Sequence, residues 1–143
     1  MKITKSWLQK EGACSKAVDW FVEQNEQDAE KLLSLLIKQK KPLDWANWTL
    51  VRKMTHEQKV NYAVFIAEQA LNIFEEKYPD DRRPRQAIEA AKAWVDNPTK
   101  QNKKAADAAA YVAYAAYAAA DAAKGKEQIT ILRYGLKLLE GRG

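Results

Sequence analysis

Three arginines and two aspartates fall within six residues at Asp80-Asp81-Arg82-Arg83-Pro84-Arg85. Planar guanidinium forks beside carboxylates suit two jobs. They can lock a helix junction by folding back onto terminal carbonyls or onto a carboxylate such as Asp44. They can equally present a charged contact to a partner. Glu89 lies one helical turn after Arg85, and Lys92 and Asp96 continue the charged side. The candidate partner-binding set is therefore Asp80, Asp81, Arg82, Arg83, Arg85 and Glu89. Within it, Arg85 stands early in a helix and four residues before Glu89, which marks it as structural. Arg83, just before Pro84, is expected to be exposed and free to bind.

A second cluster, Lys100, Lys103 and Lys104, crowds the start of a helix, where the dipole disfavours cations. An anion bound there would relieve it, so these three are a candidate anion contact. Pairing of Lys103 and Lys104 with Asp107, one turn on, would relieve it as well.

Little else in the chain points to chemistry. His56 is the only histidine and reads as an exposed residue at a helix start, with no nucleophile or carboxylate pattern around it. Cys14 is the only cysteine, so no internal disulfide forms, which fits a reducing cytoplasm; on its apolar helical stripe it reads as a small buried hydrophobe. One His and one Cys rule out the common zinc sets. Asp107 and Asp121 are four turns apart on one helix and cannot share an ion. None of the five glycines belongs to a phosphate-cradling loop. No catalytic residue, metal or cofactor is expected. A hydrolase with carboxylates at Asp80 and Asp81 has only charge density behind it.

The elements that must carry these residues are helices. Five Gly and four Pro in 143 residues are too few for a hairpin-rich sheet. Three short helices open the chain: the first around Trp7 and Leu8, ended by Gly12; the second with Cys14, Ala17, Val18 and Phe21; the third capped by Asp28, with Leu32, Leu33, Leu35, Leu36 and Ile37 on a broad apolar face. Asp44 reads as the cap of a fourth. Thr55 and Gln58 form a capping-box pattern before a long helix whose Val60, Ala63, Val64, Ala67, Leu71, Phe74 and Tyr78 share a face. Pro79 ends that helix, and Pro84 starts the next in the turn where proline is tolerated.

Thr99 caps an alanine-rich helix in which Tyr111, Tyr114 and Tyr117 fill gaps, and a last helix aligns Ile129, Leu132, Leu136 and Leu139. Small side chains let helix axes approach closely, so the alanine-rich helix is expected at the centre, and Gly135 is read as a close-packing position. The stretch from Ala105 to Ala123 holds 13 Ala but is interrupted by Asp107 and Asp121, short of the ~20 apolar residues of a membrane span. The N-terminus lacks the apolar run of a signal peptide. The net charge of +5 is spread along the chain and permits an anionic partner without requiring one.

Several of these strings resemble a known family: Ala13-Cys14 with Val18, Trp20 and Phe21; Asp44-Trp45-Ala46-Asn47-Trp48; Tyr78-Pro79-Asp80-Asp81-Arg82-Arg83-Pro84-Arg85-Gln86-Ala87-Ile88-Glu89-Ala90; and the alanine–tyrosine helix. Together, over roughly Trp7 to Lys124, they resemble the Imm-five-like putative immunity proteins of bacteria and phages. The resemblance implies binding and neutralisation of a partner toxin, and brings no catalytic residues with it. The combined expectation is an all-α, compact bundle of about seven helices, one domain over residues 1–143, cytoplasmic and without cofactor. It would bind a protein partner, a toxin or a host defence protein. The second reading is a phage or prophage accessory protein that binds nucleic acid through Lys100, Lys103, Lys104 and the Arg82–Arg85 loop.

Overall fold

The computed structural model describes residues 1–101, 103, 104 and 125–141. They form seven α-helices: α1 (Lys5–Lys10), α2 (Ser15–Gln24), α3 (Ala29–Lys38), α4 (Asp44–Lys53), α5 (His56–Lys77), α6 (Arg83–Asp96) and α7 (Gly125–Leu139). Among the described residues the only extended pairing is an isolated bridge between Lys2 and Asp28. The fold is all-α. The alanine-rich stretch with Tyr111, Tyr114, Tyr117 and Asp107 lies outside the described residues, and with it the expected central position of that helix.

Local chemistry sets most helix ends. Asp28 accepts from the backbone N–H groups of Glu30 and Lys31, each at 3.1 Å, and so satisfies two donors that α3 cannot pair internally. Thr55 and Gln58 close a reciprocal capping box at the head of α5, at 3.0 and 3.2 Å. Gln58 also donates to the Leu138 carbonyl at 2.8 Å, tying the start of α5 to the end of α7.

Helices α1 and α3 end alike. Gly12 (φ 79°) and Lys40 (φ 52°) are left-handed. The next residue's N–H reaches back five residues, Ala13 to the Leu8 carbonyl and Lys41 to the Leu36 carbonyl. Glycine adopts this conformation freely; Lys40 does so against its Cβ. Pro84 stands in the first turn of α6.

Three expectations are corrected here. Asp44 is the first residue of α4 rather than its cap; Leu43 holds the cap position and makes no side-chain cap bond. Helix α5 stops at Lys77, leaving Tyr78 about half exposed instead of on the buried face. Cys14 is exposed, because it caps α2 in extended conformation rather than lying on its apolar stripe.

Helix α5 packs on α6 and α7, and α7 also packs on α4. Val60, Ala63, Val64, Ala67 and Leu71 are buried as their spacing predicts, but so are Tyr62 and Ile66, since α5 is covered on more than one side. Ile131 and Leu132 of α7 are fully buried, and Phe65 stacks on Tyr134 with ring centroids 4.0 Å apart. Gly135 lies where α7 crosses both neighbours. A Cβ there would meet Tyr62 Cε2 at 2.9 Å, Leu50 Cδ1 at 3.1 Å and Met54 Cε at 3.2 Å. Among the described residues, no helix is long and apolar enough to cross a membrane.

Candidate functional site

The charged loop joins α5 to α6, and its two sides are built differently. After Lys77 the chain turns through Tyr78, Pro79 and Asp80, with the Asp81 N–H on the Tyr78 carbonyl at 3.1 Å. Arg82 takes the cap position of α6 but offers no side-chain acceptor. Asp81, one residue earlier, does the capping instead. Its Oδ1 accepts from the Arg83 N–H at 3.1 Å and from Arg83 Nε at 2.9 Å, and its Oδ2 accepts from Arg83 Nη2. These Arg83 bonds hold the Asp81 carboxyl down at about 2. The guanidinium is held up in return. The Arg83 side chain is nevertheless 87% exposed. Arg83 is thus exposed, as expected, but it is fixed by a neighbour rather than free.

Arg85 faces the other way. Its Nε and Nη2 bind Glu75 Oε1 and Oε2 at 2.8 and 2.7 Å, a two-pronged pair from the first turn of α6 to the last turns of α5. The Arg85 hydrogen bond lowers the Glu75 pKa, and the charges of Arg85 and Arg82 add to the effect. The acceptor that locks the junction is therefore Glu75, not Asp44. Glu89 reaches Arg85 only through its charge. Lys92 pairs with Glu68 further along the same two helices.

Tyr78, Pro79, Asp80, Asp81, Arg82, Arg83 and Gln86 together line a shallow, open concavity. The candidates at Asp80, Asp81, Arg82 and Arg83 share this surface, Arg85 sits behind it, and Glu89 lies a turn along α6. Lys100, Lys103 and Lys104 are exposed in a helical turn begun by the Lys103 N–H on the Thr99 carbonyl at 2.9 Å. They lie past the far end of α6, whose 14 residues span about 20 Å. The two candidate clusters do not meet. Their pairing with Asp107 lies outside the described residues.

His56 is exposed at the head of α5 and rests edge-on against Trp94, with centroids 4.7 Å apart. Among the described residues no three His, Cys, Asp or Glu side chains gather as a metal set.

Glu75 is not among the residues that the sequence singles out. Its position at the end of the helix that leads into the arginine loop is the signal that was there to use. Nor does the sequence point to a cavity of about 310 Å³ that lies among α1 to α4 and α7. Ile3, Leu8, Phe21, Leu33 and Leu36 form its buried walls, and Trp20, Trp45 and Trp48 stand around it.

A protein-family profile, the Imm-5 like putative immunity protein, matches residues 49–134, more than half of the chain. The match contains the whole arginine loop. It begins after the Asp44–Trp48 string and the earlier Ala13-Cys14 string, and it runs past Lys124 into α7. No curated protein and no solved structure matches. On the matched span, the chain belongs to the Imm-5 like putative immunity protein family.

Proposed function

We propose that this protein acts by stoichiometric binding to another protein, without turnover, and that the α5–α6 junction is its contact surface. The partner is a toxin that it neutralises or, in a phage, a host defence protein that it blocks. Family membership supports the general role. The observation that carries the choice of surface is Arg83: its side chain stands almost wholly in solvent, yet Asp81 holds its guanidinium in one geometry. A charged donor ordered before the partner arrives loses less freedom on binding, which favours affinity and register. Arg82 and Asp80 are exposed beside it. The Arg85–Glu75 pair steadies the platform from behind.

Binding to nucleic acid is less favoured. At the junction Arg82, Arg83 and Arg85 are matched by Glu75, Asp80 and Asp81, so little positive potential remains to draw a phosphate backbone. The Lys100–Lys104 cluster is too distant to extend the same footprint.

The test compares Arg82→Ala, Arg83→Ala and Arg85→Ala by thermal melting and by pull-down from nuclease-treated lysate of the source organism. Arg83→Ala is expected to melt like the parent and to lose its protein partner, whereas Arg85→Ala is expected to melt lower. Three variants that keep both stability and partner would refute this surface. A partner lost on nuclease treatment would favour the nucleic-acid reading.

A further inference from the structure

The cavity between the N-terminal helices lies almost entirely outside the family-matched span and has no part in the binding role above. Its deep walls are aliphatic, with Ile3, Leu8, Leu33 and Leu36 all buried. Its open end is marked by exposed lining residues, Gly12, Cys14 and Asp44. The polar groups along it are mostly committed elsewhere. Trp20 Nε1 donates to Gln39 Oε1 at 2.7 Å, and Thr49 Oγ1 donates to the Trp45 carbonyl at 2.8 Å. Trp20 therefore offers an occupant its ring, not its N–H.

Asp44 is the exception. The Met1 ammonium, also in the lining, is held by Glu140 at 3.5 Å and Asp28 at 3.9 Å; Asp44 is the one lining side chain charged at neutral pH, and among the described residues its carboxylate has no hydrogen bond or ion pair. It leads a turn of α4 that also carries Trp45 and Trp48. Trp45 is tilted against Trp20, with centroids 6.0 Å apart. The indoles of this region already attract cations: the Arg52 guanidinium sits 3.9 Å above Trp48, and the Lys53 ammonium sits 4.1 Å above Trp7.

We propose that this cavity is a binding site for a small organic cation, an amine with a compact apolar or aromatic body. The body fills the aliphatic interior, and the nitrogen rests at the rim between the Asp44 carboxylate and the Trp45 ring. The volume is at the lower end for small-molecule sites, and few polar groups within apolar walls is the usual composition of such sites. An anion is disfavoured by the unpaired carboxylate, and a neutral molecule leaves that carboxylate without a partner.

Three probes of one shape separate the cases: 2-phenylethylammonium, 2-phenylethanol and 3-phenylpropionate. Binding is read by tryptophan emission and by the rate at which N-ethylmaleimide alkylates Cys14, the single cysteine of the chain and a rim residue. The ammonium probe is expected to protect Cys14 and to bind about tenfold more tightly than the alcohol, with the carboxylate weakest. Asp44→Asn, at an exposed position in the first turn of α4, should leave the protein folded with at most a small drop in melting and erase that order. Ala17→Leu, which fills the cavity, should abolish binding of all three. Equal affinity for the three probes, or an order that persists in Asp44→Asn, would overturn the assignment to a cation. No binding of any probe at millimolar concentration would overturn the site itself; if Ala17→Leu does not fold, the Asp44→Asn comparison alone decides.

Discussion

Replacing Gly135 by alanine sets two effects of opposite sign against each other. Inside a helix, alanine is favoured over glycine by about 1 kcal/mol, because glycine has more backbone freedom to lose. At this position the added methyl would stand 2.9 Å from Tyr62 Cε2, 3.1 Å from Leu50 Cδ1 and 3.2 Å from Met54 Cε. Ordinary carbon contacts begin at about 3.5 Å. Met54 can swing its terminal methyl aside. Tyr62 cannot do so readily, since its hydroxyl is bonded to Asn47 Oδ1 at 2.9 Å and its ring is buried.

Overpacking of this kind costs about 1–3 kcal/mol, so Gly135→Ala should be net destabilising by about 1 kcal/mol. For a chain of this length that lowers Tm by about 4 °C. Melting followed by circular dichroism, with urea unfolding as a second measure, reads this directly. Freeing the ring by Tyr62→Phe should shrink the Gly135→Ala penalty, which a double-mutant cycle reports. A Gly135→Ala protein that melts at or above the parent would refute the claim that glycine sets how closely α7 approaches α4 and α5.

Two smaller perturbations test other parts of the fold. Lys40 is left-handed and exposed at the end of α3, so Lys40→Gly should relieve its strain and raise stability by about 0.5–1 kcal/mol; an unchanged or lower urea midpoint contradicts that reading. The Asp81 carboxyl is held at about 2 against an ordinary 3.8. Its bonds to Arg83, small in stability because solvent screens so exposed a pair, are therefore present above the ordinary value and lost as pH falls through the folded one. Carboxyl chemical shifts should show Asp81 titrating near pH 2 in the parent and moving up in Arg83→Ala; a midpoint near 3.8 in both proteins would show that the pair does not persist in solution.

The all-α class and most helix ends were legible in the residues because their causes are local. The Asp28 cap, the Thr55–Gln58 box, the Gly12 terminus and Pro84 in a first turn each involve a side chain or ring acting on backbone within a few residues. Such interactions survive whatever the helices later pack against. Gly135 was legible for a related reason: a glycine inside a helix costs stability unless something needs the room. The Tyr78–Ala90 string also carried the family, within the span where the profile matches.

Packing across helices decided the rest. Arg85 had several carboxylates to choose from, and only the return of α6 along α5 brought it to Glu75 rather than Asp44. Cys14 fits an apolar period, but the chain enters α2 in extended form there and turns the thiol outward. Ile131 joins Leu132 at the centre because α7 is covered by α4 and α5 together, a wider contact than the single stripe of its sequence suggests. The cavity is shaped by the relative placement of five helices, and Asp44 acquires its place at the rim only from that arrangement. A helix is stabilised by bonds between near neighbours, so its sequence carries it; which faces meet depends on how all the helices share one core, and no local segment contains that choice.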